Sequence, residues 1–520
     1  MNHAQFNQAN TVMMSHLVSL GHAPPVWKQL KVDGLVSVGR VCTGRRRHWF
    51  ARKPSRPGAN NCEDAGLIRR QKTRNFAQLT TLRMNQPSSN LFGGNRRKFL
   101  KSTSTAALGT MFATHFIVRE KTFAANSDTL KVGLVGCGGR GSGAASQALH
   151  ADSNVVLVAM GDAFEKQLKN SLSSLKAEHA EKVKVTPETS FTGLDAYKKV
   201  IDSGVDVVIL ATPPGFRPLH YEYAVEKGKH VFMEKPVATD TAGVKRVIAA
   251  SKIAKDKKLA TIAGFCWRYD KLRRQLFERV LGGDIGEVRA SYHTYLAGPV
   301  KPMPPAASRP AGMGDVEWQI RNWYNFTYLG ADGYTEQAVH SVDKLAWTMG
   351  DVPPVRCTGI GGRQVENHEG NIWDHIEVNY EYASGARGFV VHRQIGHCFG
   401  ENKDYIMGSK GQANIGGRRA TVEVTGDKAW GSKEAVKDMY QVEHDELFAS
   451  IRAGKPLFDG DRIWSSTLLA LMGRMAAYTG QEISWEMMLE SNEKLMPDSL
   501  VFNAANPVPP MAISGKYAFS

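Results

Sequence analysis

Short apolar runs alternate with segments of helical spacing between residues 130 and 264. The five runs cover residues 132–135, 155–160, 205–210, 230–233 and 259–264. Continuous apolar runs of this length, bounded by turn residues, are typical of strands buried on both faces. Because these strands alternate with helices, the pattern indicates βαβ units and therefore a parallel sheet.

The pattern changes in the second half of the chain. Residues 376–382 alternate between apolar and polar, a turn follows at 383–385, and 386–392 is the expected hairpin partner. Strand-rich sequence after βαβ units indicates a second domain. The Pro-rich stretch 299–310 is predicted to be a surface connection or lid. A helix is predicted over 465–478, with packing residues at helical spacing: Leu468, Leu471, Met472 and Met475.

The formal charge of +16 by itself suggests a nucleic-acid or membrane partner. The distribution of the charged residues along the chain changes this interpretation. Residues 1–125 hold 20 of the 66 Lys and Arg but only 4 of the 50 Asp and Glu, so the leader carries the whole excess. The remaining 46 basic and 46 acidic residues cancel. The body of the chain therefore gives no electrostatic case for nucleic acid.

The leader contains an export-type signal. Arg96 and Arg97 lie in a basic stretch, a moderately apolar run follows over 102–118, and small residues close it at 122–125. Paired arginines followed by Phe-Leu-Lys are typical of a twin-arginine (Tat) signal, which predicts a periplasmic protein without stable membrane insertion after processing. An uncleaved anchor is the alternative, although the run is short for a span of ~20 residues. Residues 1–83 lack apolar periodicity and are predicted to be disordered or to precede a true start at Met84.

A glycine motif follows the first apolar run. Gly136, Gly138 and Gly141 have Gly-x-Gly-x-x-Gly spacing, and small residues over 142–149 predict the next helix. Such glycines permit a tight turn, close approach of a pyrophosphate and close helix–strand packing, in that order. Asp162 ends the second run 21 residues after Gly141, about where a ribose-binding acid is expected. The pattern predicts a dinucleotide site; the alternative is a structural glycine turn.

Further motifs carry a family resemblance. They are Ala211-Thr212-Pro213-Pro214, His220, Glu234-Lys235-Pro236, residues 264–269 and 286–288, His340-x-x-Asp343, and Gly473-Arg474. With the glycine motif, they resemble the Gfo/Idh/MocA oxidoreductase family over nearly everything from Leu130 to about Pro497. Glu-Lys-Pro alone is common by chance, but its place at a strand end after a dinucleotide fingerprint makes it specific.

The resemblance implies an α/β protein with an N-terminal Rossmann domain. A C-terminal α+β domain with a large, mostly antiparallel open sheet would cover the nicotinamide and support homo-oligomers, as dimers or tetramers. We therefore predict a leader over 1–125, a dinucleotide-binding domain over 126–265, a substrate and oligomerisation domain over 266–502, and an extended tail over 503–520.

The cofactor implied is NAD. The expected contacts are Gly136, Gly138, Gly139, Arg140, Gly141, Asp162, Thr212, Pro213, Pro214, His220, Glu234, Lys235 and Arg268. Asp162 favours NAD because a carboxylate accepts a hydrogen bond from a ribose 2′-hydroxyl and repels a 2′-phosphate, whereas Arg140 leaves NADP as an alternative.

The chemistry is predicted at Lys235, Glu336, His340 and Asp343. In similar enzymes the lysine contacts the substrate hydroxyl and the cofactor. If residues 334–347 form one helix, Glu336, His340 and Asp343 share a face, because they are four and three residues apart. A neutral histidine then takes a proton from an alcohol while a carboxylate holds its other ring nitrogen. The family usually carries Asp four residues before this His, so the longer Glu336 either orients His340 differently or reaches the substrate itself. A polar helix face with a satisfied histidine is the alternative.

Substrate contacts are predicted from the aromatic and hydrogen-bonding residues of 318–324, namely Trp318, Arg321 and Tyr324, with core packing as the alternative. The six cysteines show no C-x-x-C spacing. His392, His397 and Cys398 have no metal-ligand spacing either, so no metal is expected.

These residues predict an exported NAD(P)-dependent oxidoreductase that acts on a sugar or polyol. Two alternatives stay open. One is a glycoside-cleaving enzyme that oxidises its substrate transiently with tightly held NAD, which export favours because no free NAD pool recycles the cofactor outside. The other is a non-catalytic sugar-binding protein on the same fold.

Overall fold

A computed structural model describes residues 128–366, 369–416 and 421–520. All of them fall within one unit, Ile117–Ser520, when the chain is divided by its contacts. The predicted leader and its signal lie outside the described residues. We call residues 128–265 the first region and 266–520 the second region.

The first region is built on six parallel strands. They are β1 Leu130–Val135, β2 Val155–Asp162, β3 Ser190–Thr192, β4 Val207–Leu210, β5 His230–Met233 and β6 Thr261–Ala263. Their order in the sheet is β3-β2-β1-β4-β5-β6. All neighbouring strands pair in parallel. This is the doubly wound Rossmann order, and ligands bind where it reverses, at the carboxyl ends of β1 and β4.

Five helices connect these strands. They are α1 Gly139–Ala151, α2 Glu165–Glu178, α3 Ala196–Asp202, α4 Arg217–Glu226 and α5 Thr241–Asp256. The last four residues of the predicted run 205–210 form β4, where every side chain is buried. Small residues let α1 pack closely, and Ala144, Ala145 and Ala148 are buried against the sheet. The predicted parallel sheet is confirmed, and the short edge strand β3 was not predicted.

The second region contains a nine-stranded sheet. Its strands are β7 Val288–Ala297, β8 Arg356–Gly362, β9 His375–Glu381, β10 Arg387–Gln394, β11 Lys403–Gly408, β12 Gly411–Gly416, β13 Thr421–Gly426, β14 Trp430–Ser432 and β15 Ile483–Ser484. The order is β14-β13-β12-β11-β7-β10-β9-β8-β15. Only β7 and β10 pair in parallel. The sheet is thus mostly antiparallel, and the β9–β10 hairpin confirms its prediction.

Eight helices belong to the second region as described. They are α6 Lys271–Leu281, α7 Asp315–Arg321, α8 Thr327–Gly330, α9 Gly333–Glu336, α10 Val339–Thr348, α11 Met439–Arg452, α12 Arg462–Thr479 and α13 Trp485–Glu490. Helix α12 is buried along nearly its whole length, including the predicted packing residues. A side chain at Gly473 would bring its Cβ within 2.5 Å of the Tyr380 hydroxyl, so glycine permits α12 to approach the sheet.

The two regions are interwoven. Helix α11 packs on α1 of the first region, and the Arg452 Nε donates to Asp152 Oδ2 at 2.8 Å. Residues 503–520 form neither helix nor strand, but Ala512 is buried and its carbonyl accepts a hydrogen bond from Trp373 Nε1 at 3.1 Å. Among the described residues, no helix is both long and apolar enough to cross a bilayer.

Candidate active site

The glycine loop joins β1 to α1 in a conformation that depends on glycine. Gly136 has φ +95°, and a Cβ there would lie 2.6 Å from the backbone of Ala211. A Cβ at Gly141 would lie 1.9 Å from the Gly136 carbonyl oxygen. By contrast, a Cβ at Gly138 or Gly139 would meet no atom within 4 Å. The loop is therefore packed tightly on its inner side and open at the N-terminus of α1, as a pyrophosphate site requires.

Asp162 lies at the carboxyl end of β2 beside this loop. Its Oδ2 accepts a hydrogen bond from the Cys137 amide at 2.7 Å, and its Oδ1 accepts one from the Phe164 amide at 2.8 Å. Burial raises the pKa of Asp162, while the two amides act in the opposite direction. Each oxygen keeps a second lone pair, so the carboxylate can still accept from a ribose hydroxyl.

A cavity of about 390 Å³ opens at this sheet edge. Six of the predicted cofactor residues line it: Gly136, Gly138, Asp162, Thr212, Pro213 and His220. His220 is held by its Nδ1 at 3.2 Å from the Thr212 hydroxyl and by stacking on Tyr197 at 4.1 Å between ring centroids. Burial and then Arg217 lower the pKa of His220 to about 3, so its ring is neutral. These residues thus form one wall of a cavity that fits the predicted dinucleotide.

The other predicted cofactor residues have different roles in this structure. Gly139 and Gly141 form the start of α1, and Pro214 is buried in the 3-10 turn Pro214–Phe216. Arg140 Nε is ion-paired with Glu234 Oε1 at 2.9 Å, and its guanidinium lies over Tyr440. Arg140 and Glu234 therefore neutralise each other and do not line the cavity.

Lys235 follows β5 and points to the second region. Its Nζ donates to the Glu336 carbonyl oxygen at 2.5 Å and to Glu336 Oε1 at 3.1 Å. The other carboxylate oxygen accepts from Gln337 Nε2 at 2.5 Å, and the Gln337 Oε1 accepts from the Tyr295 hydroxyl at 2.6 Å. Both carboxylate oxygens of Glu336 therefore have partners. Such pairing offsets the cost of removing two charges from water.

His340 is buried near this pair. Its ring makes edge contacts with Phe265 and Trp267, at 6.5 and 6.3 Å between centroids. Burial, then the positive charges of Lys235, Lys344 and Arg273, lower the pKa of His340 well below its usual value. The imidazole is therefore neutral, as a general base must be before it takes a proton.

Asp343 does not support His340, which corrects the prediction. Its two carboxylate oxygens accept from Arg268 Nε and Nη2, each at 2.9 Å, and Oδ1 also accepts from the Ser466 hydroxyl at 2.8 Å. Among the described residues, none hydrogen-bonds to His340 Nδ1. Asp343 is committed to Arg268 because a buried guanidinium needs a bidentate acceptor.

The predicted role of Arg268 is wrong for the same reason. It was expected at the cofactor, but it also donates to Asp351 Oδ1 at 2.6 Å and lies over Trp347. Burial alone would lower the pKa of Arg268, but the carboxylates of Asp343 and Asp351 raise it above its usual value. It is absent from the lining of the dinucleotide cavity.

The segment 334–347 is not one helix. Helix α9 ends at Glu336 and α10 begins at Val339, and the His340 amide donates to the Gln337 carbonyl at 3.3 Å. Glu336 and His340 therefore do not share a helix face by periodicity. Tertiary packing brings Glu336 to Lys235, so two members of the predicted set meet directly and Asp343 stands apart.

The three predicted substrate residues separate. Trp318 Nε1 donates to Glu369 Oε2, in a different cavity beside Asn371 and Asn506. Arg321 lines the dinucleotide cavity, with its guanidinium carbon 4.0 Å from the centre of the Phe164 ring. These two contacts correct the prediction of a shared sugar pocket. Only Tyr324 lies near the Lys235–Glu336 pair: burial, and then Glu336, raise the pKa of its hydroxyl.

Several site residues were not predicted. Tyr295 and Gln337 join Glu336 in one hydrogen-bonded chain, and in a separate pair Gln394 Nε2 donates to the Tyr324 hydroxyl at 2.7 Å. Arg217 is buried and donates to the carbonyls of Thr212 and Pro236, which ties together the loops after β4 and β5. Phe164, which lines the dinucleotide cavity, was not predicted either. Its position two residues after Asp162 was a sequence signal that could have located it.

One set of metal-ligand side chains lies away from the site. The ligand atoms of His150, Glu178 and His179 come within 4.8 Å of one another at the ends of α1 and α2. The Ser146 hydroxyl donates to Glu178 and lies 3.0 Å from His179 Nε2. The expected absence of a metal stays a prediction.

Known proteins share both sequence and fold with this chain. Residues 130–262 match the Gfo/Idh/MocA model, described as an oxidoreductase family with an NAD-binding Rossmann fold. Inositol 2-dehydrogenase 4 of Saccharopolyspora erythraea is 33% identical over 353 residues, which cover 66% of this chain and 90% of that protein. The myo-inositol 2-dehydrogenase of Thermotoga maritima is 23% identical over 343 residues, covering 63% and 90%.

Solved structures extend the likeness to both regions. Aldose-aldose oxidoreductase from Caulobacter crescentus, complexed with glycerol, has a TM-score of 0.55 at 18% identity and covers 69% of this chain and 100% of its own. Levoglucosan dehydrogenase, in complex with NADH and L-sorbose, has a TM-score of 0.56 at 17% identity, covering 68% and 98%. At these identities the likeness shows the fold.

Proposed function

Because this chain belongs to the Gfo/Idh/MocA oxidoreductase family, whose Rossmann domain binds NAD, we propose that it transfers hydride between a sugar or polyol and a tightly held NAD. One observation carries the proposal. Lys235, at the end of β5, meets Glu336 of the second region in a buried ion pair close to the neutral His340. This pair lies at the same sheet edge as the glycine loop and Asp162.

The residues divide the chemistry among them. Nicotinamide, when bound, accepts or returns the hydride. Lys235 orients the substrate hydroxyl and stabilises negative charge on its oxygen. His340 takes the hydroxyl proton, since its ring is neutral and no described residue hydrogen-bonds to its Nδ1. Glu336 balances the charge of Lys235, so the proton that His340 takes up does not add to an uncompensated lysine charge.

The substrate class follows from the groups around this pair. Tyr295, Tyr324, Gln337 and Gln394 are neutral hydrogen-bonding side chains, and they suit a ligand with several hydroxyl groups. The named substrates of similar proteins, inositol and levoglucosan, are neutral and polyhydroxylated. A neutral sugar or polyol is therefore the substrate we propose.

Export and assembly form part of the same proposal. Arg96 and Arg97, before the apolar run 102–118, support a Tat-type route to the periplasm. That route carries folded protein, so NAD can be loaded beforehand. A homo-oligomer is proposed on the family resemblance. Replacement of both arginines by lysine should leave precursor in the cytoplasm, and undiminished periplasmic protein would contradict export by this route.

The decisive experiment compares the unmodified protein with His340→Ala. Purified protein loaded with NAD is mixed with a panel of sugars, polyols and glycosides, and nicotinamide absorbance is followed. The variant should keep its cofactor but reduce it roughly 10²–10⁴-fold more slowly, the usual share of general base catalysis. Equal rates would remove His340 as the base.

Product analysis in the same experiment separates the alternatives. An oxidised sugar product supports the proposed dehydrogenase. A cleaved glycoside with no net change in NADH identifies the glycoside-cleaving alternative, which uses the same hydride step. Binding of sugars without any change in nicotinamide absorbance identifies a non-catalytic binding protein.

A further inference from the structure

Two histidines and a glutamate meet where two helices of the first region end. His150 lies in the last turn of α1, Glu178 is the last residue of α2, and His179 caps α2. One metal-binding atom from each residue lies within 4.8 Å of the other two. Glu178 Oε1 and His179 Nε2 are 3.5 Å apart. Ligand atoms about 2.1 Å from a tetrahedral ion are about 3.4 Å apart, so this pair already has the spacing of a metal site.

Hydrogen bonds orient the ligands of this group. His150 Nδ1 lies 3.1 Å from the Ser146 carbonyl oxygen. Because a carbonyl can only accept, Nδ1 carries the hydrogen and Nε2 keeps the lone pair that a metal needs. Metal-bound histidines usually donate their other ring nitrogen in this way. The Ser146 hydroxyl donates to Glu178 Oε1 at 2.8 Å and orients that carboxylate. It also lies 3.0 Å from His179 Nε2, a contact that a bound ion would replace.

The charge at this corner of the molecule suits a cation. Helices α1 and α2 both end here, and the C-terminal end of a helix carries a partial negative charge. Glu178 adds a carboxylate. Lys182 is a nearby positive charge, but its Nζ donates to two carbonyl oxygens at the end of α1, at 2.5 and 2.8 Å. Its ammonium group is therefore committed to the helix end.

The protonation state of His179 also suits metal binding. Burial lowers the pKa of His179, and although Glu178 acts in the opposite direction, His150 and Lys182 add to the lowering. The rings of the two histidines pack edge to face at 4.5 Å between centroids. His179 is therefore neutral at pH 7, and a histidine must be neutral to bind a metal.

The ligand atoms select a class of ion. Two imidazole nitrogens and one carboxylate oxygen suit Zn²⁺, Co²⁺ and Ni²⁺, whereas Mg²⁺ and Ca²⁺ prefer oxygen ligands throughout. His150 and Glu178 are exposed and His179 is half-buried. Water can therefore reach the fourth position of a tetrahedral ion held by these three side chains.

The group lies away from the proposed chemistry. Helix α1 has 13 residues and begins at the glycine loop, so at 1.5 Å per residue its C-terminal end is about 20 Å from that loop. None of these three described residues lines the dinucleotide cavity. An ion held here would join the ends of α1 and α2 and stabilise the first region without contacting the reacting groups.

We propose that His150, Glu178 and His179 bind one divalent transition-metal ion, zinc above all, which links the C-terminal ends of α1 and α2. This site departs from the expectation of no metal, which rested on spacing along the chain. His150 and His179 are 29 residues apart in the sequence, and only the fold brings them together. The proposal does not depend on the hydride chemistry of the proposed function.

The test measures metal binding directly. The mature chain, made without a polyhistidine tag, is freed of metal with a chelator and dialysed. Calorimetry with Zn²⁺ should show one ion bound at this site with a Kd of about 10 µM or below. Co²⁺ should give the visible absorption of a tetrahedral site. Saturating Zn²⁺ should raise the Tm by about 2 °C or more, and Mg²⁺ should not.

Two ligand variants and two controls locate the ion. His150→Ala and Glu178→Gln change exposed side chains, so both variants should fold, which circular dichroism and NAD binding check. Each should bind Zn²⁺ about 100-fold more weakly or worse, since even the loss of a residue that only orients a ligand costs 10- to 100-fold. Glu181→Gln, at an exposed acid close by, and His397→Asn, at an exposed histidine elsewhere, should bind Zn²⁺ as the unmodified protein does.

The outcomes are distinct. Weakened binding in both ligand variants, with normal binding in both controls, supports the site. A Kd for Zn²⁺ weaker than about 10 µM in the unmodified protein, or unchanged affinity in the ligand variants, overturns it. Protein that binds zinc here but never reduces NAD contradicts the proposed function alone. Protein that reduces NAD with a sugar but binds no zinc contradicts the metal site alone.

Discussion

The first and second regions contribute different kinds of group to the site. On the first region, the dinucleotide wall consists largely of backbone: Gly136, Gly138 and the loop after β4, with Asp162 as its carboxylate. On the second region, buried charged side chains are paired with one another, as in Lys344–Asp404 at 2.9 Å with both side chains fully buried. Changes on the ligand-facing side of the first half should therefore affect binding of the dinucleotide, and loss of a paired charge in the second half should affect stability.

Among the buried ion pairs, the largest effect on stability is expected at Asp343. Its replacement by alanine leaves Arg268 buried with one of its two carboxylate partners, so the free energy of unfolding should fall by about 3–5 kcal/mol. Urea denaturation followed by circular dichroism measures this. Asp498→Ala, at an exposed acid paired with Lys494, is the control and should change nothing measurable. Normal stability with lost turnover in Asp343→Ala would restore Asp343 to a catalytic role.

Two glycine variants test the backbone half. Gly138→Val should fold normally, since its side chain has open space, but should bind NAD roughly 100-fold more weakly or worse because it blocks the pyrophosphate. Gly141→Val should lose folded protein, because its Cβ would meet the Gly136 carbonyl. Calorimetric titration and thermal melting measure the two effects. Tight NAD binding by Gly138→Val would place the dinucleotide elsewhere.

Acid should weaken the protein through its buried histidines. Burial lowers the pKa of His220, His392 and His444 to about 3 and that of His340 well below 6.5. Below pH 6.5 the unfolded chain binds protons that the folded chain does not, so stability falls as pH falls, by about 1.4 kcal/mol per pH unit for each such histidine.

His444→Leu isolates one of these contributions. His444 packs against Phe232 at 4.3 Å between ring centroids, away from the proposed chemistry. The variant should lose stability more gently between pH 6 and pH 4, by about 1.4 kcal/mol per pH unit less. Denaturant titrations at several pH values measure the slope, and an unchanged slope would mean that His444 is protonated in the folded state.

The smallest effect is expected on cofactor choice. The unmodified protein should bind NAD more tightly than NADP. Asp162→Asn should reduce this ratio of affinities by about tenfold, because the charge that repels a 2′-phosphate is lost while one acceptor oxygen remains. Calorimetry with both dinucleotides measures this. Equal or tighter binding of NADP by the unmodified protein would contradict the role assigned to Asp162.

Local chain geometry explains which parts could be predicted. Gly136, Gly141 and Asp162 are placed by their own neighbours along the chain, so spacing alone located them. Periodicity located five strands of the first sheet and the β9–β10 hairpin of the second, whereas β3 has three residues and only one apolar side chain. No glycine or proline marks the break between α9 and α10, so nothing in the local sequence showed that Glu336 and His340 lie on separate helices.

Long-range pairing explains what could not be predicted. Arg268 and Asp343 are 75 residues apart, and Lys235 and Glu336 are 101 apart. Which carboxylate neutralises which buried cation depends on how the regions pack, and several acids were suitable by type. Arg321 could be recognised as a binding residue, but only the fold shows that it faces Phe164.

The return of α11 to α1 has a consequence for synthesis of the chain. Asp152 and Arg452 are 300 residues apart. At about 5–20 residues per second, a ribosome needs roughly 15–60 s to make the stretch between them. During that interval α1 lacks the helix that covers its outer face, and the nascent dinucleotide-binding region is open to aggregation and proteolysis. The first region, although first to emerge, is therefore among the last parts of the molecule to be completed.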